Sequence, residues 1–133
     1  MKKKILVVDD EELIRKTISL TLIEVGYEVE TAKSGKEAFE KVINAENKGK
    51  TIDLILTDTR ISDMSGIELM KKLNREKFIT PFIVVSGNRD NINLLKSVEL
   101  GCIDFIFKPF QPENLVQCIN NYFDKQLLRG RCK

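Results

Sequence analysis

The chain has 133 residues, 42% of them hydrophobic and 32% charged, which predicts one soluble domain with a single hydrophobic core. Lys and Arg number 22 against 20 Asp and Glu, and the net charge of +2 gives no global attraction to nucleic acid or to a membrane surface. The sequence has no histidine, which excludes histidine metal ligands and histidine-based catalytic triads.

The cysteines and the apolar runs predict a location. The three cysteines, Cys102, Cys118 and Cys132, are widely spaced and form no CxxC pair, so we expect neither a disulfide framework nor a zinc site. This use of cysteine predicts a cytoplasmic protein. The apolar runs are too short to span a bilayer. The run after the N-terminal lysines ends in two acids, unlike a secretion signal.

Short apolar runs alternate with amphipathic segments along the whole chain. The runs predict five strands, at 5–8, 27–32, 54–56, 82–85 and 103–107. The first and fourth are unbroken and rich in Val and Ile, which is typical of strands buried on both faces of a parallel sheet. The second alternates apolar with charged residues, which favours a position near an edge.

Helical patterns follow the first two strands. Apolar residues at helical spacing after the first strand predict a helix that ends at Gly26. Ser34, with Glu37 three residues later, has the pattern of a capping box and opens the second helix. The stretch 44–51 is polar and is interpreted as a surface loop.

Three further helices complete the pattern, which repeats strand and helix five times. The third begins near Gly66, the fourth is closed by Gly101 and the last opens with Pro112. This alternation predicts a single doubly wound α/β domain of the flavodoxin-like (βα)5 type, with a parallel five-stranded sheet of order 2-1-3-4-5. We assign residues 1–126 to the domain and 127–133 to a basic C-terminal tail, interpreted as a frayed, solvated terminus.

Polar side chains follow the predicted strands where ligands bind in such sheets, outside the carboxyl ends near the switch in strand order. They are Asp9 and Asp10 after the first strand, Asp58 after the third, Ser86 after the fourth and Lys108 after the fifth. In the order 2-1-3-4-5 the first and third strands are neighbours, so the three carboxylates should converge. Three carboxylates at one point need a cation, and oxygen ligands suit Mg²⁺.

Each of these residues also has a purely structural explanation. Asp10 or Glu11 could cap the following helix, and Lys108 with Pro109 could form an exposed turn. Asp53 lies on the third strand at its opposite end, so we exclude it from the site. The joint pattern nevertheless suits phosphoryl transfer, which depends on positioning and on positive charge around the transferred group.

The chain resembles the receiver domain of two-component response regulators over nearly its whole length. The resemblance rests on ILVVDD at 5–10, DLILTD at 53–58, FIVVSG at 82–87 and DFIFKPF at 104–110. It implies that Asp58 is the phosphoacceptor, that Ser86 and Lys108 contact the phosphoryl oxygens, and that the Lys108–Pro109 peptide is cis. It also implies a Mg²⁺ site formed by Asp9, Asp10, Asp58 and the backbone carbonyl of Arg60.

The resemblance also implies a switch and its partners. Phosphorylation would draw Ser86 toward Asp58, and Phe105 would fill the vacated space. The donor would be a phosphohistidine on a histidine kinase or histidine phosphotransfer protein, and the domain would catalyse its own phosphorylation and dephosphorylation. Output would pass to a downstream protein through the face formed by the fourth helix, fifth strand and fifth helix. A homodimer is compatible with this reading, whereas membrane binding, or nucleic-acid binding by this domain itself, is not expected.

The sequence departs from the family pattern after the acceptor. The usual Met-Pro and Asp-Gly pairs are replaced by Ile61-Ser62 and Ser65-Gly66, which should loosen the loop. In the family, the positions of Arg60 and Asn88 help to set phosphate lifetime, so we expect an atypical dephosphorylation rate.

Two other functions stay open at this stage. A phosphatase of the haloacid dehalogenase type needs a second Asp two residues after the nucleophile, where this chain has Arg60. A degenerate receiver would never be phosphorylated and would serve as an interaction module, although all five key positions are filled. The sequence also fits either a stand-alone regulator or part of a longer protein.

Overall fold

The computed structural model describes residues 2–59, 61, 63–87 and 97–131, with the main chain alone from residue 127 onward. Strands and helices alternate in the predicted order. They are β1 (Lys4–Val8), α1 (Glu12–Glu24), β2 (Glu28–Ala32), α2 (Gly35–Asn47), β3 (Leu54–Asp58), α3 (Gly66–Arg75), β4 (Phe82–Ser86), the described end of α4 (97–99), β5 (Cys102–Phe107) and α5 (Pro112–Arg131).

The five strands form one sheet in the order β2-β1-β3-β4-β5, and every neighbouring pair is parallel. This confirms the predicted doubly wound α/β fold and its strand order. The register pairs Val8 with Thr57, Asp58 with Val85 and Ser86 with Phe107. The carboxyl ends of these strands therefore meet at one edge of the sheet.

The sheet separates two hydrophobic clusters, one on each face. Leu6 and Val8 of β1 pack with residues of α2 and α3, whereas Ile5 and Val7 pack with residues of α1 and α5. Alternate residues of a strand point to opposite faces, so an unbroken apolar run supplies both clusters. In β2, by contrast, only Ala32 is buried, as expected for an edge strand.

Capping residues define several helix ends. The Ser34 hydroxyl accepts a hydrogen bond from Glu37 N at 3.1 Å, which confirms the predicted cap of α2. Ser65 caps α3 in the same way through Glu68 N at 3.1 Å. Gly26 follows α1 with a φ of +103°, a conformation that side chains disfavour, so a glycine ends this helix as predicted.

Two boundaries differ from the sequence analysis. Residues 44–47 belong to α2 and not to a loop, because Ala45, three residues after Val42, is buried and extends the apolar face of the helix. The main chain of α5 continues to Arg131, although residues 127–133 were interpreted as a frayed tail. Leu and Arg favour helix, which accounts for the extension of α5 beyond residue 126. The domain boundary at residue 126 stays a prediction. Asn88 and the part of the predicted fourth helix that precedes residue 97 lie outside the described residues.

Two thiols near the edge strand β5 share one acid as a hydrogen-bond partner. Cys118 Sγ donates to Asp104 Oδ2 at 3.1 Å, and Cys102 Sγ donates to the Asp104 carbonyl at 3.0 Å. Both cysteines are free thiols, and Cys132 lies outside the described residues. Within the part of the chain that the structure describes, no helix is long and apolar enough to cross a membrane.

Candidate functional site

Asp9 lies directly after β1 and is held on several sides. Asp9 N donates to the Ala32 carbonyl at 3.1 Å, which extends the pairing with β2 by one residue. Its Oδ1 accepts from Glu11 N at 2.9 Å, and its carbonyl accepts from Arg15 Nη1 at 2.7 Å. Asp9 is only 2% exposed. A buried carboxylate held in this way has a defined orientation and needs a positive partner.

Lys108 supplies that partner and joins Asp9 to Asp58. Lys108 Nζ lies 2.7 Å from Asp58 Oδ2 and 3.3 Å from Asp9 Oδ2. The Lys108–Pro109 peptide is cis, as the resemblance implied, and Lys108 N donates to the Ser86 carbonyl at 2.8 Å. Burial lowers the pKa of Lys108, but its hydrogen bond to Asp58 and the charges of Asp58 and Asp9 raise the pKa by more, so the side chain is a stable cation.

A cluster of acids at this edge has the chemistry of a divalent-cation site. Asp9, Asp10 and Glu11 each offer a carboxylate oxygen, and these oxygens all lie within 4.8 Å of one another. Carboxylate oxygens suit Mg²⁺. The cluster contains Glu11, which the sequence analysis considered only as a cap, and Glu11 makes no side-chain capping bond. Asp58 is linked to the cluster through Lys108, and Arg60 lies outside the described residues.

Two hydroxyls lie on the other side of Asp58. Ser86 ends β4 and is 1% exposed, in agreement with its predicted position at a strand end. Thr59 Oγ1 lies 3.1 Å from Ser86 Oγ and 3.3 Å from Asp58 Oδ1. Thr59 was not among the site residues predicted from the sequence. The signal for it is the strand register, because a hydroxyl just past the end of β3 comes opposite the last residue of β4.

The loop after β3 packs closely on Asp58. A Cβ on Gly66 would lie 2.4 Å from the Asp58 carbonyl oxygen, so this first residue of α3 leaves no room for a side chain. Gly66 N also donates to the Thr59 carbonyl at 3.0 Å. The start of α3 therefore holds the end of β3 in place.

Asp63 ties the same loop to the N-terminus of α2. Its two carboxylate oxygens accept from Gly35 N at 2.8 Å and from Lys36 N at 3.0 Å. Slight burial raises the pKa of Asp63, but these backbone hydrogen bonds lower it by more, so the net shift is downward. The loop is thus anchored although Ser62 stands where the family usually has proline.

Two other predicted positions complete the description. Phe105 is half-buried on β5 and pairs with Val84, so strand alternation places it on the same face of the sheet as Ser86. Asp53 lies at the opposite end of β3, and its Oδ2 accepts from Lys4 N at 2.8 Å. Asp53 is therefore outside the site, as the sequence analysis had it.

Comparison with known proteins identifies the family. The family model described as response regulator receiver domain matches residues 5–120. A solved CheY-like receiver domain protein from Methanospirillum hungatei is 31% identical with a TM-score of 0.87, and the match covers 97% of this chain and 99% of that one. The chemotaxis response regulator CheY4 of Vibrio cholerae is also 31% identical, with a TM-score of 0.81 and coverage of 91% and 98%.

Longer relatives contain the same domain. The alkaline phosphatase synthesis transcriptional regulatory protein PhoP of Bacillus subtilis is 37% identical, over 86% of this chain and 46% of its own length. The phosphate regulon transcriptional regulatory protein PhoB of Pseudomonas aeruginosa is 35% identical, over 86% of this chain and 48% of its own length. The chain thus spans about half the length of these relatives. These matches confirm the resemblance and show that the chain belongs to the receiver-domain family of two-component response regulators.

Proposed function

We propose that this receiver domain accepts a phosphoryl group on Asp58 from a phosphohistidine of a partner protein, a histidine kinase or a histidine phosphotransfer protein. The observation that carries the proposal is the contact between Lys108 Nζ and Asp58 Oδ2 at 2.7 Å, at an edge of the sheet where acids and hydroxyls also meet. Because residues 1–133 include no histidine, the phosphohistidine has to come from outside this domain.

In the proposed reaction the Asp58 carboxylate attacks phosphorus, the phosphorus–nitrogen bond to the histidine breaks, and the imidazole leaves with the electron pair of that bond. Negative charge is then spread over the phosphoryl oxygens. Lys108 provides a cation beside the acceptor and Ser86 provides a neutral hydroxyl donor, which is the kind of stabilisation that phosphoryl transfer needs. Later attack of water on the acyl phosphate would restore the carboxylate.

We further propose that Mg²⁺ binds beside the acceptor, on Asp9, Asp10 and Asp58 with the carbonyl of Arg60. The mutual proximity of the Asp9, Asp10 and Glu11 carboxylates supports a hard divalent cation here, and it makes Glu11 a further candidate ligand, directly or through water. When bound, the ion would offset the negative charge of the phosphoryl oxygens. The contacts of Asp9 with Glu11 N and Lys108 hold its carboxylate in one orientation, which supports this role.

The output is proposed to follow from a change at Ser86. A phosphoryl group on Asp58 would accept the Ser86 hydroxyl proton, and Phe105, on the same face of the sheet, would move into the space that Ser86 leaves. The face formed by α4, β5 and α5 would then bind a downstream protein or a second copy of the domain differently in the two states.

Intact-mass spectrometry after incubation with acetyl phosphate and Mg²⁺ tests the acceptor. We expect a phosphoryl adduct on the wild type and on the control variant Asp53→Asn, and none on Asp58→Asn. An adduct that persists in Asp58→Asn contradicts the proposal. Failure of the wild type to form an adduct with any phosphodonor favours a degenerate interaction module, and steady hydrolysis of the donor without an adduct favours a phosphatase.

Arg60, which lies outside the described residues, is proposed from the sequence to alter the lifetime of the acyl phosphate. A cationic side chain two residues after the acceptor can contact the phosphoryl group or exclude the attacking water. Decay of the adduct after removal of the phosphodonor, compared between wild type and Arg60→Ala, measures this effect. Equal half-lives would remove the idea.

A further inference from the structure

Thr59 places a buried hydroxyl between the acceptor and the switch serine. Its side chain is 8% exposed, and its Oγ1 contacts Asp58 Oδ1 at 3.3 Å and Ser86 Oγ at 3.1 Å. The strand register explains the contact, because Thr57 pairs with Val84 and the positions two residues further along are Thr59 and Ser86. Thr59 is the first residue after β3, so the register of the sheet places it opposite Ser86.

The hydroxyl protons determine the direction of these two bonds. An ionised carboxylate only accepts, so Thr59 donates its single hydroxyl proton to Asp58. That proton is then not free for the second contact. The distance alone allows either hydroxyl to donate, and we therefore infer that Ser86 is the donor there. The result is a relay in which Ser86 donates to Thr59 and Thr59 donates to Asp58.

A phosphoryl group on Asp58 would disturb this relay. Ser86 also has one hydroxyl proton, and donating it to a phosphoryl oxygen ends its donation to Thr59. The Thr59 oxygen and the phosphoryl oxygen are thus alternative acceptors for the same proton, one before phosphorylation and one after it.

We propose that Thr59 is a positioning residue that competes with the phosphoryl group for the hydroxyl proton of Ser86, and so sets how readily the domain enters its phosphorylated conformation. This inference rests on the proposed function, since it requires Ser86 to bond the phosphoryl group. A typical intramolecular hydrogen bond corresponds to about a threefold to tenfold change in an equilibrium constant. Removal of the Thr59 hydroxyl should favour the phosphorylated conformation by roughly that factor.

The test uses beryllofluoride, which mimics a phosphoryl group on a carboxylate, and measures its affinity in the presence of Mg²⁺ by calorimetry. We expect Thr59→Val to bind beryllofluoride about threefold to tenfold more tightly than wild type. Thr59→Ser restores the hydroxyl and should return the affinity toward the wild-type value. Thr57→Val is the matched control, because it removes another buried threonine hydroxyl beside Asp58 that bonds the Asp58 carbonyl oxygen.

A double-mutant cycle with Ser86→Ala shows whether the effect of Thr59→Val on beryllofluoride affinity depends on Ser86. In a Ser86→Ala background the gain from Thr59→Val should largely disappear, because no serine proton remains to be released. Three results would each overturn the inference. Thr59→Val could bind beryllofluoride no more tightly than wild type, or Thr57→Val could gain as much affinity as Thr59→Val. The third is an unchanged gain in affinity from Thr59→Val in the Ser86→Ala background. If Thr59→Val does not fold, Thr59→Ala replaces it, with the same expected gain in beryllofluoride affinity.

Failure of the proposed function gives a different result from failure of the inference. If wild-type protein does not bind beryllofluoride, or binds it equally in Asp58→Asn, the phosphoacceptor proposal fails and the inference falls with it. If the wild type binds it through Asp58 and the Thr59 variants do not respond as expected, only the role of Thr59 is wrong.

Discussion

Asp53 and Asp58 stand at opposite ends of β3, and the partners of their carboxylates differ in kind. Asp53 accepts from a backbone amide, Lys4 N, which is fixed by the pairing of β1 with β3. The described contacts of the Asp58 carboxylate are with the Lys108 ammonium and the Thr59 hydroxyl, both on side chains. The same residue type on one strand therefore bonds a backbone amide at one end and contacts two polar side chains at the other.

The difference follows from the topology of the sheet. At the amino end of β3 the neighbouring strand begins, and its unpaired backbone amide satisfies Asp53. At the carboxyl end several strands finish together, and the described contacts of the Asp58 carboxylate are with the side chains of Lys108 and Thr59. We call these the Asp53 end and the Asp58 end of the sheet. The following predictions test this contrast, from the largest expected effect to the smallest.

The Asp58 end should tolerate no added volume at the start of α3. A Cβ on Gly66 would meet the backbone carbonyl of Asp58 at 2.4 Å, so Gly66→Ala should destabilise the domain by about 2 kcal/mol or more. The control is Gly35→Ala, whose Cβ would meet the flexible side chain of Met64. That substitution should change the free energy of unfolding by less than about 1 kcal/mol, since the methionine can move. Urea denaturation measures both, and equal losses would refute the distinction.

Lys108 should stabilise the Asp58 end in the absence of a divalent ion. Lys108→Met leaves the carboxylates of Asp9 and Asp58 without their shared cation, and we expect a loss of about 1–2 kcal/mol after allowance for partial exposure. Because an ammonium at the site repels a metal ion, the variant should also bind Mg²⁺ more tightly than wild type. Unfolding with and without Mg²⁺, and titration with Mg²⁺ alone, check the two statements. Weaker Mg²⁺ binding by the variant would contradict the second.

Asp53→Ala should act on stability alone. It removes an acceptor for Lys4 N, and the loss of one partly buried hydrogen bond should cost about 1 kcal/mol. Since the Asp53 end lies away from the acid cluster, the cost should be the same with and without Mg²⁺. A metal-dependent difference would show that the two ends are coupled.

The smallest effect concerns pH. The pKa of Asp63 is lowered by its bonds to the start of α2, so its carboxylate stabilises the fold above its unfolded pKa, near the ordinary value of 3.8. That contribution is lost as the pH falls through the lower folded pKa. Asp63→Asn should therefore be slightly less stable than wild type at pH 7, and the difference should shrink below about pH 4. A stability difference that does not change with pH would argue against a contribution from the charge of the Asp63 carboxylate. The effect should be small because Asp63 is exposed to solvent.

The sequence predicted features that local pattern determines. Strand periodicity gave the order of elements, and placing acids, serine and lysine at strand ends located Asp9, Asp58, Ser86 and Lys108 at one edge of the sheet. The end of α2 was predicted wrongly because Ala45, which is buried, lies among the polar residues Asn44, Glu46 and Asn47. Thr59 was missed because its contact with Ser86 depends on the register between strands distant in sequence.

The two cysteines that share Asp104 have a consequence for handling the protein. Burial, the hydrogen bond to Asp104 and the negative charge of Asp104 raise the pKa of Cys118 to about 12, and burial likewise raises the pKa of Cys102. Thiolates are the species that alkylating reagents and peroxides attack. Both sulfurs should thus react slowly with maleimides or air at neutral pH, and a dye directed to a newly introduced, exposed cysteine would largely spare Cys102 and Cys118.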